Sequence, residues 1–163
     1  MNYTEITGPD INNGLGCRIT LWVSGCDICC KGCHNAGLWS FNQGQEFTDE
    51  TYNDLVKKCS KPYIKGLSVL GGEPCAKKNI EEVEKIIKKF RTDLPDKDVW
   101  LYSGYTYEYL LSKYPTLFQY IDVLVDGPYI EEQRNISLAF RGSENQRVID
   151  VKKSLEQGKV VLL

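Results

Sequence analysis

Residues 19–33 read ITLWVSGCDICCKGC, an apolar run followed directly by a loop that contains four cysteines. The run is short and rich in β-branched and aromatic residues, which is typical of a buried strand in a parallel sheet. Cys26, Cys30 and Cys33 have the spacing C-x3-C-x2-C, and no convincing helix or strand pattern follows until about Thr48. Long loops without regular structure are unusual in compact domains and are often functional. The stretch therefore predicts a strand that leads into a metal-binding loop.

The cysteine loop allows three interpretations. In the first, Cys26, Cys30 and Cys33 hold a [4Fe-4S] cluster, which leaves one iron free to bind a substrate. In the second, Cys26 and Cys29 join Cys30 and Cys33 in a four-cysteine zinc site, although zinc knuckles are normally a dozen or more residues apart. In the third, the thiols are buried or redox-active without a metal. A mirrored spacing, with Cys29 in place of Cys30, is also open.

The other three cysteines are isolated in the sequence. Cys59 completes the apolar face of a predicted helix, Cys17 opens a strand, and Cys75 follows a Gly-Gly-Glu-Pro turn. Free cysteine is among the most buried residue types, so we expect structural roles for all three.

Length and composition limit what kind of protein this is. At 163 residues we expect a single domain over 1–163. A net charge of −2 without a basic block predicts no nucleic-acid binding. No apolar stretch approaches the ~18 residues that span a membrane, and the N-terminus lacks the pattern of a signal peptide. We therefore expect a cytoplasmic protein with no membrane partner, whose seven cysteines are reduced or metal-bound.

Short apolar runs alternate with amphipathic segments along the chain. Thr48 and Asn79 are predicted helix caps, and a third helix is predicted from about Thr106 to Tyr114. Weaker strand candidates lie at Arg147–Val151 and Val160–Leu163. The strongest strand predictions are Ile19–Val23, Gly66–Leu70, Val99–Tyr102 and Ile121–Val125.

The order β-α-β-α-β-α-β indicates an α/β fold with a mainly parallel sheet covered by helices. A closed eight-stranded barrel typically needs ~250 residues. We therefore expect an open, partial (β/α) barrel.

The motif Gly71-Gly72-Glu73-Pro74 follows the second of these strands. Two glycines allow the backbone to approach a ligand closely, and backbone carbonyls together with the Glu73 carboxylate suit an ammonium group. Taken alone, the motif also fits a plain turn with an exposed glutamate. Its position one βα unit after the cysteine loop favours a ligand site, because sites of parallel α/β folds form where strands end.

Together, Cys26-x3-Cys30-x2-Cys33 and the Gly-Gly-Glu-Pro turn resemble the radical S-adenosylmethionine superfamily. The resemblance implies a radical SAM type of fold, a [4Fe-4S] cluster on Cys26, Cys30 and Cys33, and S-adenosylmethionine on the fourth iron. It thereby favours Cys30 over Cys29, and it implies cofactor-based chemistry without a protein acid-base residue. The cofactor-binding residues that it implies are Gly32, Cys33, His34, Gly71, Gly72, Glu73 and Ser103.

Six ordered motifs bring the resemblance closer, to the glycyl radical enzyme activases that act on anaerobic (class III) ribonucleoside-triphosphate reductases. They are Asn13–Arg18, Val23–Cys26, Gly32–Asn35, Tyr102–Tyr105, Val123–Gly127 and Arg141–Val148. One departure is His34, where an aromatic residue is expected; we expect its side chain to face solvent.

This closer resemblance implies reductive cleavage of S-adenosylmethionine to methionine and a 5′-deoxyadenosyl radical, which generates the glycyl radical in the glycine loop of the reductase large subunit. An electron donor such as flavodoxin is implied as a second partner. A radical SAM enzyme for another glycyl radical enzyme or for a small molecule is the main alternative. A non-catalytic zinc-binding module is a more distant one.

Overall fold

A computed structural model describes residues 1–163 as an α/β fold around one mixed sheet of seven strands. The strands are β1 (Asn2–Asp10), β2 (Arg18–Val23), β3 (Gln45–Glu46), β4 (Gly66–Gly71), β5 (Asp98–Tyr102), β6 (Val123–Asp126) and β7 (Arg147–Asp150). The helices are α1 (Asp49–Cys59), α2 (Ile80–Asp93), α3 (Tyr107–Lys113) and α4 (Val151–Gln157). Short 3₁₀ turns lie at Ala36–Leu38, Leu117–Gln119 and Glu131–Gln133. None of these helices combines the length and the apolar character that a membrane span requires.

The strand order is β3-β1-β2-β4-β5-β6-β7. The four central strands β2, β4, β5 and β6 are parallel, as predicted, while β1, β3 and β7 run antiparallel to their neighbours. The parallel core therefore carries an antiparallel strand at each side, so the sheet is mixed. The strand β1 was not predicted, because most of its residues are only partly buried and form no continuous apolar run.

The tail after β6 differs from the prediction. The strand predicted at Arg147–Val151 ends at Asp150, whose side chain accepts a hydrogen bond from the Lys153 N–H at 3.0 Å and caps α4. No helix was predicted there. The candidate strand Val160–Leu163 contributes only a single bridge, between Leu162 and Ile149.

One of the two predicted helix caps is confirmed. Thr48 forms a capping box with Thr51 at the start of α1. The third helix starts as expected near Thr106, whose side chain accepts a hydrogen bond from the Tyr109 N–H, a cap that was not predicted. The other predicted cap, Asn79, makes no capping bond to α2. Its side chain has another role, described below.

The two faces of the sheet are covered differently. One face joins the helices in a hydrophobic core of 27 buried residues, in which Cys59 is fully buried as expected. The opposite face has no helix against it and carries a small apolar cluster around Trp100 and Val125, with Phe140 packed on it. This helix-free face is the floor of the main cavity.

Candidate functional site

A cavity of about 530 Å³ opens on the helix-free face, where β2, β4 and β5 end. Its volume lies within the range of roughly 300–1,000 Å³ that is usual for small-molecule sites. Gly32 does not line it; this residue is exposed, and its backbone lies against the Glu131 side chain. All the other predicted site residues do line it: Cys26, Cys30, Cys33, His34, Gly71, Gly72, Glu73 and Ser103.

The four clustered cysteines are free thiols in two different environments. Cys26, Cys30 and Cys33 are partly buried and line the cavity. Cys29 is exposed, adopts a left-handed backbone conformation (φ 51°) and donates its thiol hydrogen to the carbonyl of Cys26 at 3.3 Å. It does not line the cavity. The spacing alone left Cys29 and Cys30 equivalent, whereas their exposure separates them.

The donor set fits a cluster held by three thiolates better than a single ion. The cavity is lined by three of the four clustered thiols, those of Cys26, Cys30 and Cys33. A tetrahedral zinc needs its sulfur ligands at ~2.3 Å from one point, and Cys29 lies outside the cavity that such a site would share. Burial raises the pKa of the Cys26 and Cys30 thiols, so binding iron as thiolates releases protons.

The cysteine loop is fixed to the next strand end by backbone hydrogen bonds. The Glu73 N–H donates to the Gly25 carbonyl at 2.7 Å, and the Gly72 N–H donates to the Val23 carbonyl at 2.8 Å. A side chain at position 72 would place its Cβ only 2.4 Å from the Gly25 carbonyl oxygen. Gly71 has φ +121°, a conformation that other residues rarely adopt. The two glycines therefore allow the Gly-Gly-Glu-Pro turn to join the cysteine loop.

Asn79 links the same two segments through its side chain. It is buried, and its Nδ2 donates to the carbonyls of Ser24 at 2.9 Å and Glu73 at 3.0 Å, with a longer contact to Gly25 at 3.4 Å. The prediction that Asn79 caps α2 is wrong, because its amide is used across the turn. Asn79 and Glu73 are six positions apart in a loop, a spacing from which the sequence does not predict a contact.

Glu73 is a buried carboxylate rather than the exposed glutamate of a plain turn. Its Oε1 accepts hydrogen bonds from the Cys75 N–H and the Ser103 hydroxyl, both at 2.8 Å, and its Oε2 accepts one from the Gly104 N–H at 2.7 Å. Burial raises the pKa of Glu73 to about 7, although these three donors oppose the shift. No cationic side chain pairs with it.

The contacts of Glu73 identify residues that sequence analysis missed. The Cys75 and Gly104 N–H groups orient the carboxylate. Both are backbone donors, which cannot be predicted from the type of side chain at these positions. Ser103, which was expected to contact the cofactor, binds Glu73 in this structure and also lines the cavity. His34 is exposed at the cavity, as expected for its side chain. Cys75 is buried beside Glu73, in keeping with a structural role.

Comparisons with known proteins agree with this geometry. A family model described as "4Fe-4S single cluster domain" matches residues 12–149. The anaerobic ribonucleoside-triphosphate reductase-activating protein of Vibrio cholerae is 43% identical over 148 residues, which cover 90% of this chain and 96% of the relative. The protein of the same name from Enterobacteria phage T4 is 40% identical, with 91% and 93% covered. That of Escherichia coli K12 is 37% identical, with 91% and 97% covered.

The chain belongs to the family of anaerobic ribonucleoside-triphosphate reductase-activating proteins. The matched 4Fe-4S region, 12–149, includes the cysteine loop, the Gly-Gly-Glu-Pro turn and all but the last residue of β7. In this member of the reductase-activating family, the whole of β1 and the segment from Asp150 onward lie outside that region. The capped helix α4 belongs to that outer segment.

Proposed function

We propose that this chain activates an anaerobic ribonucleoside-triphosphate reductase by generating its glycyl radical, using S-adenosylmethionine and a [4Fe-4S] cluster. One observation carries the proposal. Three free thiols line the same cavity as a buried carboxylate that has no cationic partner in the chain. Three thiolates leave one cluster iron open, and an unpaired buried carboxylate suits the ammonium of an amino-acid ligand.

The residues of the chain have distinct tasks in this proposal. Cys26, Cys30 and Cys33 hold the cluster, and Cys29 stays free. When bound, the reduced cluster supplies the electron that cleaves S-adenosylmethionine to methionine and a 5′-deoxyadenosyl radical. The backbone of the cavity positions the cofactor and excludes water. No protein acid or base is required, because a hydrogen atom rather than a proton leaves the glycine.

Glu73 has the capacity to receive the cofactor ammonium. A carboxylate offers about four acceptor positions, and three are occupied by the N–H groups of Cys75 and Gly104 and by the Ser103 hydroxyl. One position on Oε2 remains. Since these donors also fix the direction of the carboxylate, Cys75, Ser103 and Gly104 act as positioning residues. Gly71 and Gly72 keep the turn close to the cysteine loop.

Several broader features follow as parts of the same proposal. The fold is an open partial (β/α) barrel of the radical SAM type, supported by parallel central strands with all core helices on one face. The chain is one domain over 1–163, supported by a core that extends from Tyr3 to Val151. It works in the cytoplasm, and a low-potential donor such as flavodoxin reduces the cluster.

Anaerobic reconstitution with iron and sulfide tests the proposal. We expect about four irons and matching sulfide per chain, and formation of 5′-deoxyadenosine when S-adenosylmethionine and dithionite are added. One zinc and no iron would contradict it and favour the zinc-binding module. Product formation without any radical on the reductase would instead favour another glycyl radical enzyme or a small molecule as the substrate.

A further inference from the structure

The cavity extends beyond the residues that are proposed to hold the cluster and the cofactor. Those residues lie at the carboxyl ends of β2, β4 and β5, but Asn12 and Asn13 also line the cavity. The Asn13 amide donates to the Thr20 hydroxyl at 3.2 Å, and Thr20 precedes the end of β2 by three residues. At ~3.3 Å per residue, the cavity therefore extends about 10 Å along β2, from the carboxyl ends of the strands toward their amino ends. This second part has no assigned ligand.

The wall of the second part is the segment 134–142, which we name the arginine loop. It is closed at its base by a hydrogen bond from the Asn135 N–H to the Gly142 carbonyl at 3.1 Å. The Phe140 ring packs edge-on against Trp100, with centroids 5.1 Å apart, and attaches the loop to the sheet. The Gln146 side chain accepts the Gly142 N–H at 2.9 Å. The loop is thus held in place over the helix-free face.

Two arginines of the arginine loop line the cavity and have no anionic partner. Arg134 and Arg141 both line it, and neither takes part in an ion pair. The Nε atom of Arg141 is buried and has no hydrogen-bond acceptor. A buried donor without a hydrogen bond lowers the stability of the protein, so such groups usually have a partner. Carboxylates and phosphates are the acceptors whose geometry matches the guanidinium fork, and a polypeptide without modification offers the carboxylate.

Nearby carboxylates of the chain are engaged elsewhere. Glu131 and Glu132 pair with Lys31 of the cysteine loop, at 3.2 Å and 3.5 Å. Glu144 accepts a hydrogen bond from the Asn135 amide at 3.1 Å. Within the chain, these carboxylates therefore leave Arg134 and Arg141 without an anionic partner.

The mouth of the cavity favours a polypeptide as the partner of these arginines. Ile136 is 87% exposed and lines the cavity between the two arginines in sequence. Leu138 and Phe140 line the cavity as well, so the arginines lie among apolar side chains, and Arg is one of the residue types enriched at protein-binding surfaces. The relatives of this chain are named for a protein target. The proposed function, by contrast, places the ammonium of S-adenosylmethionine at Glu73 and the cofactor at the open iron of the cluster, so it gives no role to the arginine loop.

We propose that the arginine loop binds the glycine-bearing segment of the reductase, with Arg141 and Arg134 receiving a carboxylate of that segment and Ile136 contacting an apolar side chain. This inference rests on the proposed function and deepens it by assigning the partner contact. It accounts for the length of the cavity, because an extended segment that reaches the cluster must pass the second part.

The test uses the reconstituted chain and the purified anaerobic reductase, with binding measured by sedimentation and radical yield measured by electron paramagnetic resonance. For Arg141→Gln we expect Kd and KM for the reductase to rise about tenfold, the loss typical of one charge-assisted hydrogen bond. The salt dependence of Kd should fall as well. Arg141→Lys should recover part of the affinity. Lys152→Gln, on the exposed face of α4, removes the same charge and is the matched control.

Ile136→Ser is the second variant, because so exposed a side chain is not needed for folding, and it should also weaken reductase binding. A rise in KM for S-adenosylmethionine alone would overturn the inference and assign Arg141 to the cofactor carboxylate. Unchanged reductase affinity in both variants would overturn it as well. Failure of the proposed function is distinct, since the unaltered chain would then form no 5′-deoxyadenosine or would form it without a radical on the reductase.

Discussion

The two ends of the central strand pair β2 and β4 both hold a buried charge, but only one charge has its partner within the chain. At the amino end, Arg18 is fully buried, donates to the Ser68 hydroxyl at 2.8 Å, pairs with Asp98 at 2.6 Å and lies over the Trp100 ring. At the carboxyl end, Glu73 is equally buried and accepts three hydrogen bonds, yet no cation pairs with it.

This difference separates structure from function. A buried charge is tolerated when opposite charge and hydrogen bonds compensate its loss of water. Arg18 meets that condition within the chain and joins β2 to β4 and β5. Glu73 does not, and its carboxylate is the group that a ligand ammonium would complete. Four predictions test the contrast, in order of decreasing effect.

The largest effect is expected at the cysteines. Replacing Cys26, Cys30 or Cys33 by Ser should abolish cluster binding, because each is proposed to hold one iron. Cys29→Ser is the matched control and should retain the cluster, since its thiol is exposed and lies outside the cavity. Iron and sulfide content after anaerobic reconstitution is the measurement. If Cys29→Ser lost the cluster and Cys30→Ser kept it, the ligand would be Cys29 and not Cys30.

The amino end should respond in stability rather than in chemistry. Arg18→Met removes one member of a buried pair and leaves Asp98 without its partner, a change that costs about 3–5 kcal/mol in buried sites. Asp98 is 22% exposed, so we expect the lower end of this range. Urea unfolding of the cluster-free protein measures it. Arg134→Met, at an exposed and unpaired arginine, is the control; equal effects of the two substitutions would break the comparison.

The carboxyl end should make stability depend on pH. The folded-state pKa of Glu73 is about 7, above its usual value of 4.5. As the pH rises, the folded protein therefore releases this proton at a higher pH than the unfolded chain does. The contribution of this proton to the free energy of unfolding is fully present below about pH 4.5 and is lost as the pH rises through 7. At 1.36 kcal/mol per pKa unit, the loss is up to about 3 kcal/mol.

Glu73→Gln should remove this part of the pH dependence from the cluster-free protein. Urea unfolding between pH 5 and 8 measures the slope, and Glu81→Gln, at an exposed position of α2, is the control. Because the amide cannot accept from all three donors, the comparison concerns the slope and not the absolute stability. An unchanged slope in Glu73→Gln would assign the pH dependence to other groups.

The smallest effect concerns the link between the cysteine loop and the Gly-Gly-Glu-Pro turn. Asn79→Ala leaves the carbonyls of Ser24 and Glu73 without their side-chain donor. Loss of buried hydrogen bonds of this kind costs about 1–3 kcal/mol. Thermal unfolding measures it, with Asn53→Ala on the exposed face of α1 as the control. If the two substitutions had the same effect, Asn79 would not connect the two segments.

The predictable parts of the fold were those with a local physical signal. The four parallel strands have mainly apolar runs, since most of their residues are buried, and Thr48 forms its cap with a residue three positions away. The strand β1 has partly exposed residues and therefore no such run. The short helix α4 begins within a predicted strand, and its charged sequence does not show an apolar stripe.

Within the site, residue types were predictable and long-range partners were not. The spacing identified the cysteine loop, but Cys29 and Cys30 differ only in exposure, which the fold decides. The position of Asn79 before α2 predicted a helix cap, whereas its amide binds the carbonyls of Ser24 and Glu73 across the turn. Two of the three donors to Glu73 come from Ser103 and Gly104, about 30 residues away. Contacts of this range depend on strand order, which local patterns do not contain.

The most direct test of the account is electron paramagnetic resonance of the anaerobic reductase after incubation with the reconstituted chain, S-adenosylmethionine and a reductant. We predict a glycyl radical signal on the reductase that requires Cys26, Cys30 and Cys33 and that persists in Cys29→Ser. A chain that holds its cluster and cleaves S-adenosylmethionine, yet leaves the reductase without this signal, would contradict the account.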